Sequence, residues 1–382
     1  MDMMYIEDCC EILDSMRVPI TASDREEGDY PYYGANGIQD HVADYIFDDE
    51  LVLLAEDGGN FGSKEKPIAY RVSGKCWINN HAHVLKPKIG LDVDYLCYSL
   101  MFYNVDGMVN GATRQKLTQA AMRKMQIPSR SIEDQKHIVD ELNRIVKIKE
   151  QRFLELQLLD KLIKARFVEM FGDPVQNEKG WKTKPLLDMG NCKNGMNFHY
   201  DDCGVEINCL GVGDFKDLSV IENTEILPMV SLNEMPSEEY LLKDDDIVFV
   251  RSNGNKALVG RSLAVYPGDV PTAFSGFCIR YRKHDDEVTV PYLLRVLKAE
   301  SIRLKMAGRG ANIQNLNQQI LETLIIPVPP KELQLEFAAF VHQVDKSKLL
   351  SLIKLLEQLI TYLYNVFIIY RQDKGEEVED HE

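Results

Sequence analysis

The side chains that could do chemistry in this chain are spaced for binding rather than for catalysis. His81 and His83, in NNHAHVL, lie two residues apart and would share one strand face, but no acidic or thiol third ligand for a metal is close in sequence. The segment GNKALVGRS at 254–262 resembles a phosphate-binding loop, yet it has one residue too many between its glycines, and Arg261 replaces the lysine. The motifs GxGxxG, HExxH and GxSxG do not occur. The sequence predicts neither a catalytic nor a metal site.

A second feature is an internal repeat. The segment GATRQKLTQAAMRKMQIPSRSIEDQ at 111–135 aligns without a gap on GANIQNLNQQILETLIIPVPPKELQ at 310–334, with nine identities in 25 columns. The period is far too long for a solenoid unit and matches a whole domain plus a connector. Before residue 111 the two halves share little. The two halves are thus similar in the repeated segment and different in the segment before it. This pattern predicts an adaptor, which holds two copies of one partner while reading two different targets.

The elements that position these residues also occur twice. Residues 1–129 contain short alternating apolar runs between Gly, Asn and Pro turns, which indicates a mixed sheet domain. A long helix is predicted at 130–172, a second sheet-rich domain at 173–328, a second long helix at 329–372, and an acidic disordered tail at 373–382. The predicted fold class is α+β, with two mixed α/β domains related by duplication.

Heptad patterns on the two long helices predict how they pack. Ser131 and Asp134 offer a capping box at the start of the first helix. An apolar seam follows at Leu156, Leu159, Ile163, Phe167 and Met170, and a second seam at Leu349, Leu352, Leu356, Leu359, Leu363, Val366 and Tyr370. We expect the seams to pack antiparallel as an intramolecular coiled coil that acts as a spacer. The alternative is that each helix lies on its own domain.

Charge and cysteine content restrict the class of protein. A formal net charge of −16 argues against a protein that binds DNA alone, because phosphate binding requires a basic surface. The segment 111–129 nevertheless holds Arg114, Lys116, Arg123 and Lys124 without any acid, so the objection is weaker for a protein that binds DNA within a complex. The eight cysteines show no framework spacing, and no apolar run approaches the roughly 20 residues of a membrane span. Both observations predict a soluble, cytoplasmic protein.

Several segments together carry a more specific signal. They are YPYYGANGIQDHVADYIFDDE (30–50), LLAEDGGNFG (53–62), WINNHAHVL (77–85), GATRQKLT (111–118), IPSRSIEDQKHIV (127–139), ARFVEMFGDP (165–174) and the second-copy segments GANIQNLN and IPVPPKELQ. In combination, and over nearly the whole chain, they resemble the specificity subunits of type I restriction-modification systems.

The resemblance implies a division of labour between subunits. Two target-recognition domains would each read one half of a split, asymmetric site in double-stranded DNA, and the paired helices would also bind two modification methyltransferase subunits. It implies no catalysis and no cofactor in this chain. Methyl transfer from S-adenosylmethionine, and cleavage driven by ATP with Mg²⁺, would belong to the modification subunits and to the restriction subunits, which translocate and cut DNA.

Base-reading residues should be polar, loop-borne and able to offer paired donors or acceptors, with Arg suited to guanine and Asn or Gln to adenine. The candidates in the first domain are Asn36, Gln39, Asn60, His81, His83, Arg114, Gln115 and Lys116. Those in the second domain are Arg251, Ser252, Asn253, Asn255, Lys256, Arg309 and Gln314. Lys116, Arg123 and Lys124 are better suited to phosphates than to bases. Asn36 and Asn253 stand beside glycine and could equally be turn residues.

Two other functions stay open on the sequence. The same module could serve a system in which one partner both methylates and cuts DNA. A different class is an acidic decoy that imitates DNA and inhibits restriction, which the net charge suggests. Decoys should space their acids regularly, whereas these acids cluster in the first domain and in the tail.

Overall fold

The computed structural model describes residues 2–111, 114–198, 204–215, 219–307 and 315–372, with the backbone alone for 361–372. The chain divides into two compact units. Unit 1 comprises Met1–Gln151 with Lys354–Glu382, and unit 2 comprises Arg152–Ile353. The candidates Arg309 and Gln314 lie outside the described residues. No helix in the described part of the chain is long and apolar enough to cross a bilayer.

Unit 1 is built on a six-stranded sheet. Its elements are β1 (Met3–Tyr5), α1 (Ile6–Cys9), β2 (Cys10–Ile12), β3 (Tyr30–Gly34), β4 (Gly37–Val42), β5 (Phe47–Ala55), β6 (Ala69–Ile78), β7 (Ala82–Pro87), α2 (Val93–Met101), β8 (Val109–Asn110), β9 (Lys116–Leu117), α3 (Gln119–Arg123) and β10 (Gln126–Pro128). The sheet has the order β2-β7-β5-β6-β3-β4, and the pairs β1-β10 and β8-β9 stand apart from it. All its strand pairs are antiparallel except β3 with β6.

Unit 2 repeats this plan with one sheet split in two. Helix α4 (Ile132–Phe171) leads to β11 (Lys182–Pro185), β12 (Gly190–Asn194), β13 (Val205–Leu210), β14 (Val220–Ile221), β15 (Met229–Leu232), β16 (Asp246–Val250), β17 (Ser262–Val265), β18 (Thr272–Phe274), β19 (Cys278–Lys283), α5 (Val290–Lys298), α6 (Glu300–Ala307), α7 (Gln318–Glu322), β20 (Ile325–Val328) and α8 (Lys331–Gln372). The sheets have the orders β12-β19-β16-β17-β14 and β15-β13-β18, and β11 pairs with β20. The run β2-β7-β5-β6 thus corresponds to β12-β19-β16-β17.

The central strand of each unit is apolar on both faces because it is covered on both sides. Along β5, Val52 and Leu54 join a core cluster with α2, while Leu51 and Leu53 join a second cluster on the opposite face. Successive side chains of a strand point to opposite faces, so a continuous apolar run fills two cores. Strand β16 divides its apolar residues between two clusters in the same way.

The residues that the two halves share hold equivalent parts of each unit together. The buried Gln135 donates to the carbonyls of Gly90 and Arg130 and accepts from the Asp92 N–H. In unit 2, the buried Gln334 donates to the carbonyls of Glu287 and Pro329 and accepts from the Thr289 N–H.

The tyrosines at the start of α2 and α5 repeat the same correspondence. The Tyr95 hydroxyl donates to the Pro128 carbonyl over 3.0 Å, and the Tyr292 hydroxyl donates to the Pro327 carbonyl over 2.9 Å. Together with the buried glutamines, these bonds show the predicted duplication as one hydrogen-bonded frame built twice.

The first long helix agrees with its prediction. Ser131 Oγ accepts from the Asp134 N–H over 3.1 Å, and α4 begins at the next residue, Ile132. It ends at Phe171, before Gly172 at φ 75°, a left-handed conformation that favours glycine after a helix. The predicted seam is confirmed at Ile163, Phe167 and Met170, which are buried, while Leu156 and Leu159 are half-buried.

Within unit 2 the two long helices pack antiparallel. Arg166 pairs with Glu336 at 2.8 Å, Lys348 with Asp160 at 2.7 Å, and Ser351 Oγ donates to Glu155 Oε2 over 2.9 Å. The residue numbers of these contacts decrease along α4, from 166 to 155, while they increase along α8, from 336 to 351. The two helices therefore run antiparallel. Phe337 lies 5.5 Å, between ring centroids, from both Phe167 and Phe171.

The seam predicted for α8 is wrong: it is displaced by one residue from the buried face, over the part of the helix whose side chains are described. Leu349, Leu352 and Leu356 are exposed, and Leu359 is half-buried. The buried positions include Phe337, Val344 and Ser351, spaced by seven residues. The leucine pattern marks a different face of the helix from the one that packs on α4. The predicted positions Leu363, Val366 and Tyr370 lie outside the described side chains.

Candidate nucleic-acid interface

In unit 1, a polar cluster forms where β5 ends and β7 begins. Asp57 Oδ1 lies 2.7 Å from His81 Nδ1 and accepts from Arg114 Nη2 over 2.8 Å. Backbone bonds join the three segments, from the Glu56 N–H to the His81 carbonyl and from the Gly58 N–H to the Gln115 carbonyl. The Arg114 side chain is 59% exposed, and Gln115 is exposed. A carboxylate thus bonds one nitrogen of a guanidinium that is otherwise largely exposed.

Two further candidates are tied to the same rim. Asn36 Nδ2 donates to the Gly58 carbonyl over 3.0 Å, so its amide oxygen is available on the exposed side. Gln39 Oε1 accepts from Asn79 Nδ2 over 3.1 Å, and Asn79 Oδ1 accepts from the His81 N–H over 2.8 Å. The structure therefore places Asn36, Gln39, His81, Arg114 and Gln115 on one connected rim.

Below the rim, one of the predicted base-reading residues, His83, belongs to a buried hydrogen-bond network. The His83 side chain has no exposed surface; its Nε2 lies 2.9 Å from the Leu117 carbonyl and its Nδ1 lies 2.7 Å from Asp14 Oδ2. Because a carbonyl oxygen only accepts, Nε2 is the donor in the first bond. The prediction that His83 reads DNA is wrong, since the imidazole joins β7 to Asp14 inside the unit.

Asp14 and Glu56 are ionised members of this network. Burial raises the pKa of Asp14, but hydrogen bonds from His83, the Val84 N–H and Gln119 outweigh it, and the net pKa lies below its ordinary range. At Glu56, burial raises the pKa, and hydrogen bonds from Lys116 and Arg17 lower it. The net pKa of Glu56 is also below its ordinary range. The same Glu56 contact, at 2.9 Å, raises the pKa of Lys116.

The network contains the one arrangement of possible metal ligands found among the described residues. Ligand atoms of Asp14, Glu56 and His83 all lie within 4.8 Å of one another. Asp14 and Glu56 are remote from His83 in sequence, so the local sequence around the histidine did not reveal them. Arg17 Nη1 lies 2.6 Å from Glu56 Oε2, and both imidazole nitrogens are engaged. A cation bound here would have to displace these internal partners.

Of three other unit 1 candidates, Asn60 and Arg123 have partners in the structure. Asn60 Nδ2 donates to the Pro67 carbonyl over 3.3 Å and closes the loop after β5. Arg123 lies 3.9 Å from Glu7, and Lys124 is exposed at the end of α3. Of the two predicted phosphate contacts at the end of α3, the ammonium group of Lys124 is therefore freer than the guanidinium group of Arg123.

In unit 2, the corresponding rim follows β16. The Arg251 N–H donates to the Phe277 carbonyl over 2.8 Å, and Arg251 Nη1 donates to the Gly276 carbonyl over 3.1 Å. Asn253 Oδ1 accepts from the Asn255 N–H, and Asn255 Oδ1 from the Ala257 N–H. These asparagines order the loop, and the exposed Asn255 keeps its amide donors outward. Ser252 and Lys256, in the same loop, are half-buried.

The two rims occupy equivalent places in the frame. The Glu56 N–H donates to the His81 carbonyl over 2.9 Å in unit 1, and the Arg251 N–H donates to the Phe277 carbonyl over 2.8 Å in unit 2. Reasoning from sequence missed Asp57, Asn79 and Phe277. Asp57 could have been found because polar residues follow both apolar strand runs, in LVLLAED and in IVFVRSN. Phe277 was missed because its ring carries none of the polar groups expected of a base-reading residue.

Comparison with known proteins identifies the family. A family model described as the type I restriction modification DNA specificity domain matches residues 1–158 and again 178–361. A Haemophilus influenzae protein described as a type I restriction enzyme specificity subunit is 36% identical over 140 residues, covering 37% of this chain and 36% of that protein. The StySPI specificity subunit of Salmonella potsdam is 23% identical over 318 residues, covering 77% of this chain and 67% of the relative.

Solved structures show the same fold. The S subunit of a type I restriction-modification system from M. genitalium has a TM-score of 0.53 at 15% identity, covering 94% of this chain and 93% of that one. A structure described for the complex assembly and conformational transition of the type I system has a TM-score of 0.54 at 14% identity, covering 94% and 95% of the two chains. The alignment spans about a third of the Haemophilus relative, whereas the family model matches both halves of this chain. With its frame built twice and each copy matched separately, this chain belongs to the family of type I restriction-modification DNA specificity proteins.

Proposed function

We propose that this chain is the DNA-recognition subunit of a type I restriction-modification complex, in which unit 1 and unit 2 each read one half of a bipartite, asymmetric duplex sequence. One observation carries the proposal: the same hydrogen-bonded frame occurs twice and presents different side chains at the same strand ends. Arg114 and His81 stand on the first rim, and Arg251 and Phe277 on the second. Different chemistry on one scaffold favours two different half-sites.

The rims have the donors that base reading requires. An exposed guanidinium can donate two parallel hydrogen bonds to guanine, and an amide can pair with adenine. Asp57 restricts Arg114 to one orientation, which lowers the entropy lost when the side chain binds. Lys124 would contact phosphate, which positions the protein without selecting a sequence. The modification subunits would supply the additional positive surface that a chain of net charge −16 lacks.

The long helices would dock two modification subunits. Besides the seam that packs in unit 2, α4 exposes Leu154, Leu158 and Leu162, and α8 exposes Leu349 and Leu352. Such apolar stripes on a helix favour burial against a partner. In this proposal the chain itself is not an enzyme. S-adenosylmethionine, ATP and Mg²⁺ would be used by the modification and restriction subunits.

Methylome sequencing tests the proposal directly. A host that expresses this chain with its modification subunits should methylate a sequence of two short specific parts separated by an unspecified spacer. Replacing residues 178–328 with the corresponding region of another family member should change one part and leave the other unchanged. A continuous motif, or a motif that changes in both parts, would contradict the assignment of one half-site to each unit.

A further inference from the structure

An aromatic side chain stands exposed at the recognition rim of unit 2. Phe277 lies in the tight turn between β18 and β19 and is 61% exposed, while its neighbours Phe274 and Cys278 are fully buried. A phenyl ring left in water forgoes the favourable free energy of burial. Single exposed apolar residues are common, so exposure alone assigns nothing. What distinguishes Phe277 is how its backbone is held.

The turn that carries Phe277 is fixed from several sides. The Cys278 N–H donates to the Ser275 carbonyl over 2.8 Å, and the Gly276 N–H donates to the Met196 carbonyl over 2.7 Å. A Cβ at Gly276 would overlap the Asn197 side-chain oxygen, so the turn lies close against the neighbouring segment. The ring is therefore held in solvent by a backbone with little freedom to withdraw it.

The polar residues beside the ring are base-reading candidates. The Phe277 carbonyl accepts from the N–H groups of both Arg251 and Ser252, and the Arg251 guanidinium is bonded to the carbonyl of Gly276. The equivalent carbonyl in unit 1 belongs to His81, which the Glu56 N–H contacts over 2.9 Å. At one place in the frame, unit 1 thus presents a hydrogen-bonding imidazole and unit 2 presents a hydrocarbon ring.

A hydrocarbon ring can distinguish bases only through an apolar group. In the major groove that group is the C5-methyl of thymine, which aromatic side chains contact. We propose that Phe277 reads a thymine in the half-site bound by unit 2, with the ring packed against its C5-methyl group. The inference rests on the proposed function and extends it to the chemistry of one half-site. An aromatic wedge between base steps is the competing mode, and it would unstack the duplex rather than read the methyl group.

The test removes the methyl group from the DNA. The complex of this chain with its modification subunits is titrated, at fixed salt, with duplexes that contain the motif that the complex methylates. In each duplex, uracil replaces a different thymine of the unit 2 half-site. One substitution should weaken binding by the wild-type complex about fourfold, which corresponds to about 0.8 kcal/mol for one methyl group. The Phe277→Ala complex should bind the thymine and uracil duplexes equally, and Phe277→Leu should keep part of the difference.

Controls separate this inference from the proposed function. Ile325→Ala removes an exposed apolar side chain from β20 of the same unit and should discriminate uracil as the wild type does. Wild-type complex that binds the motif specifically but ignores every uracil would overturn the thymine contact and leave the proposed function intact. The thymine contact is equally overturned if Phe277→Ala keeps the full discrimination, or if it weakens all duplexes equally while uracil has no effect on the wild type. Wild-type complex without preference for the motif over a shuffled duplex would overturn both.

Discussion

At the scale of residues, buried polar groups explain why some positions are alike in the two halves and others are not. Gln135 and Gln334 each satisfy three backbone groups in their own unit, so replacing either would leave buried donors and acceptors unpaired, at about 1–3 kcal/mol each. The rim residues Arg114 and Phe277 are exposed and carry no such restriction. The rim residues are therefore free to diverge.

Asp14 is the residue whose removal should most weaken unit 1. Asp14→Ala leaves His83, Gln119 and the Val84 N–H without their acceptor, and we expect a loss of about 3–5 kcal/mol at pH 7. Urea unfolding in a Trp181→Phe background measures it, because Trp77 then reports on unit 1 alone. Asp24→Ala is the control, since that exposed carboxylate bonds only Thr21 and Ser23 among the described residues; it should leave stability unchanged.

The pH dependence of the Asp14 contribution follows from the direction of its shift. The folded pKa lies below the ordinary value of about 3.9, so the stabilisation is complete above that value and is lost as the pH falls through the folded pKa. The difference in stability between wild type and Asp14→Ala should be constant from pH 5 to 7 and should narrow below pH 4. Equal stability of the two proteins at pH 7 would contradict this role.

The sequence located the rims but not their composition. It predicted His81, Arg114 and Arg251 as loop residues, and the structure has all three outside the strands. It took His83 for a rim residue, since alternation along a strand predicts a face but not what covers it. The acceptor that buries His83 is Asp14, 69 positions away, and no local pattern signals such a pairing.

At the scale of elements, helix α8 shows how a periodic pattern can be real and still be assigned to the wrong contact. The leucines at 349, 352 and 356 recur at heptad spacing, yet the positions that pack on α4 in unit 2 include Lys348 and Ser351. Periodicity identifies an apolar face, and it does not name the neighbour of that face. The bounds of both helices were predictable because Gly172 and Pro330 mark them.

The exposed leucines of α8 give a test at this scale. Leu349→Glu with Leu352→Glu should leave the chain folded, because both side chains are exposed, and should weaken binding of a modification subunit at least tenfold in sedimentation or calorimetry. Lys346→Glu, an exposed charge change on the same helix, should bind as the wild type does. Assembly of the double variant at wild-type affinity would rule out this face as the docking surface.

At the scale of the whole molecule, duplication makes the two long helices a possible measure of distance along DNA. Two recognition regions face the same side of the duplex without extra rotation when their half-sites are about a helical turn apart, near 34 Å. If the helices set that distance, as proposed, the permitted spacer should depend on their length. The fold class and the repeat were predictable from sequence because the glutamines of the frame had been retained in both copies.

Inserting one heptad into both α4 and α8 tests this dependence. Seven residues preserve the register of the seam and lengthen each helix by about 10.5 Å, or about three base pairs of duplex. Methylome sequencing should then return the same two half-sites with a longer spacer. The same insertion in α4 alone should disturb pairing with α8 and abolish modification. An unchanged spacer in the double insertion would show that the helices do not set it.

The separation of rim from frame has a further consequence for how such a chain can change over generations. If the rims read DNA as proposed, a substitution at Phe277 or Arg114 would alter which sequence is preferred without opening a cavity or stranding a buried dipole. Lineages can therefore drift to new methylation patterns at nearly constant thermal stability, whereas changes at Gln334 or Tyr292 are removed early because the product misfolds.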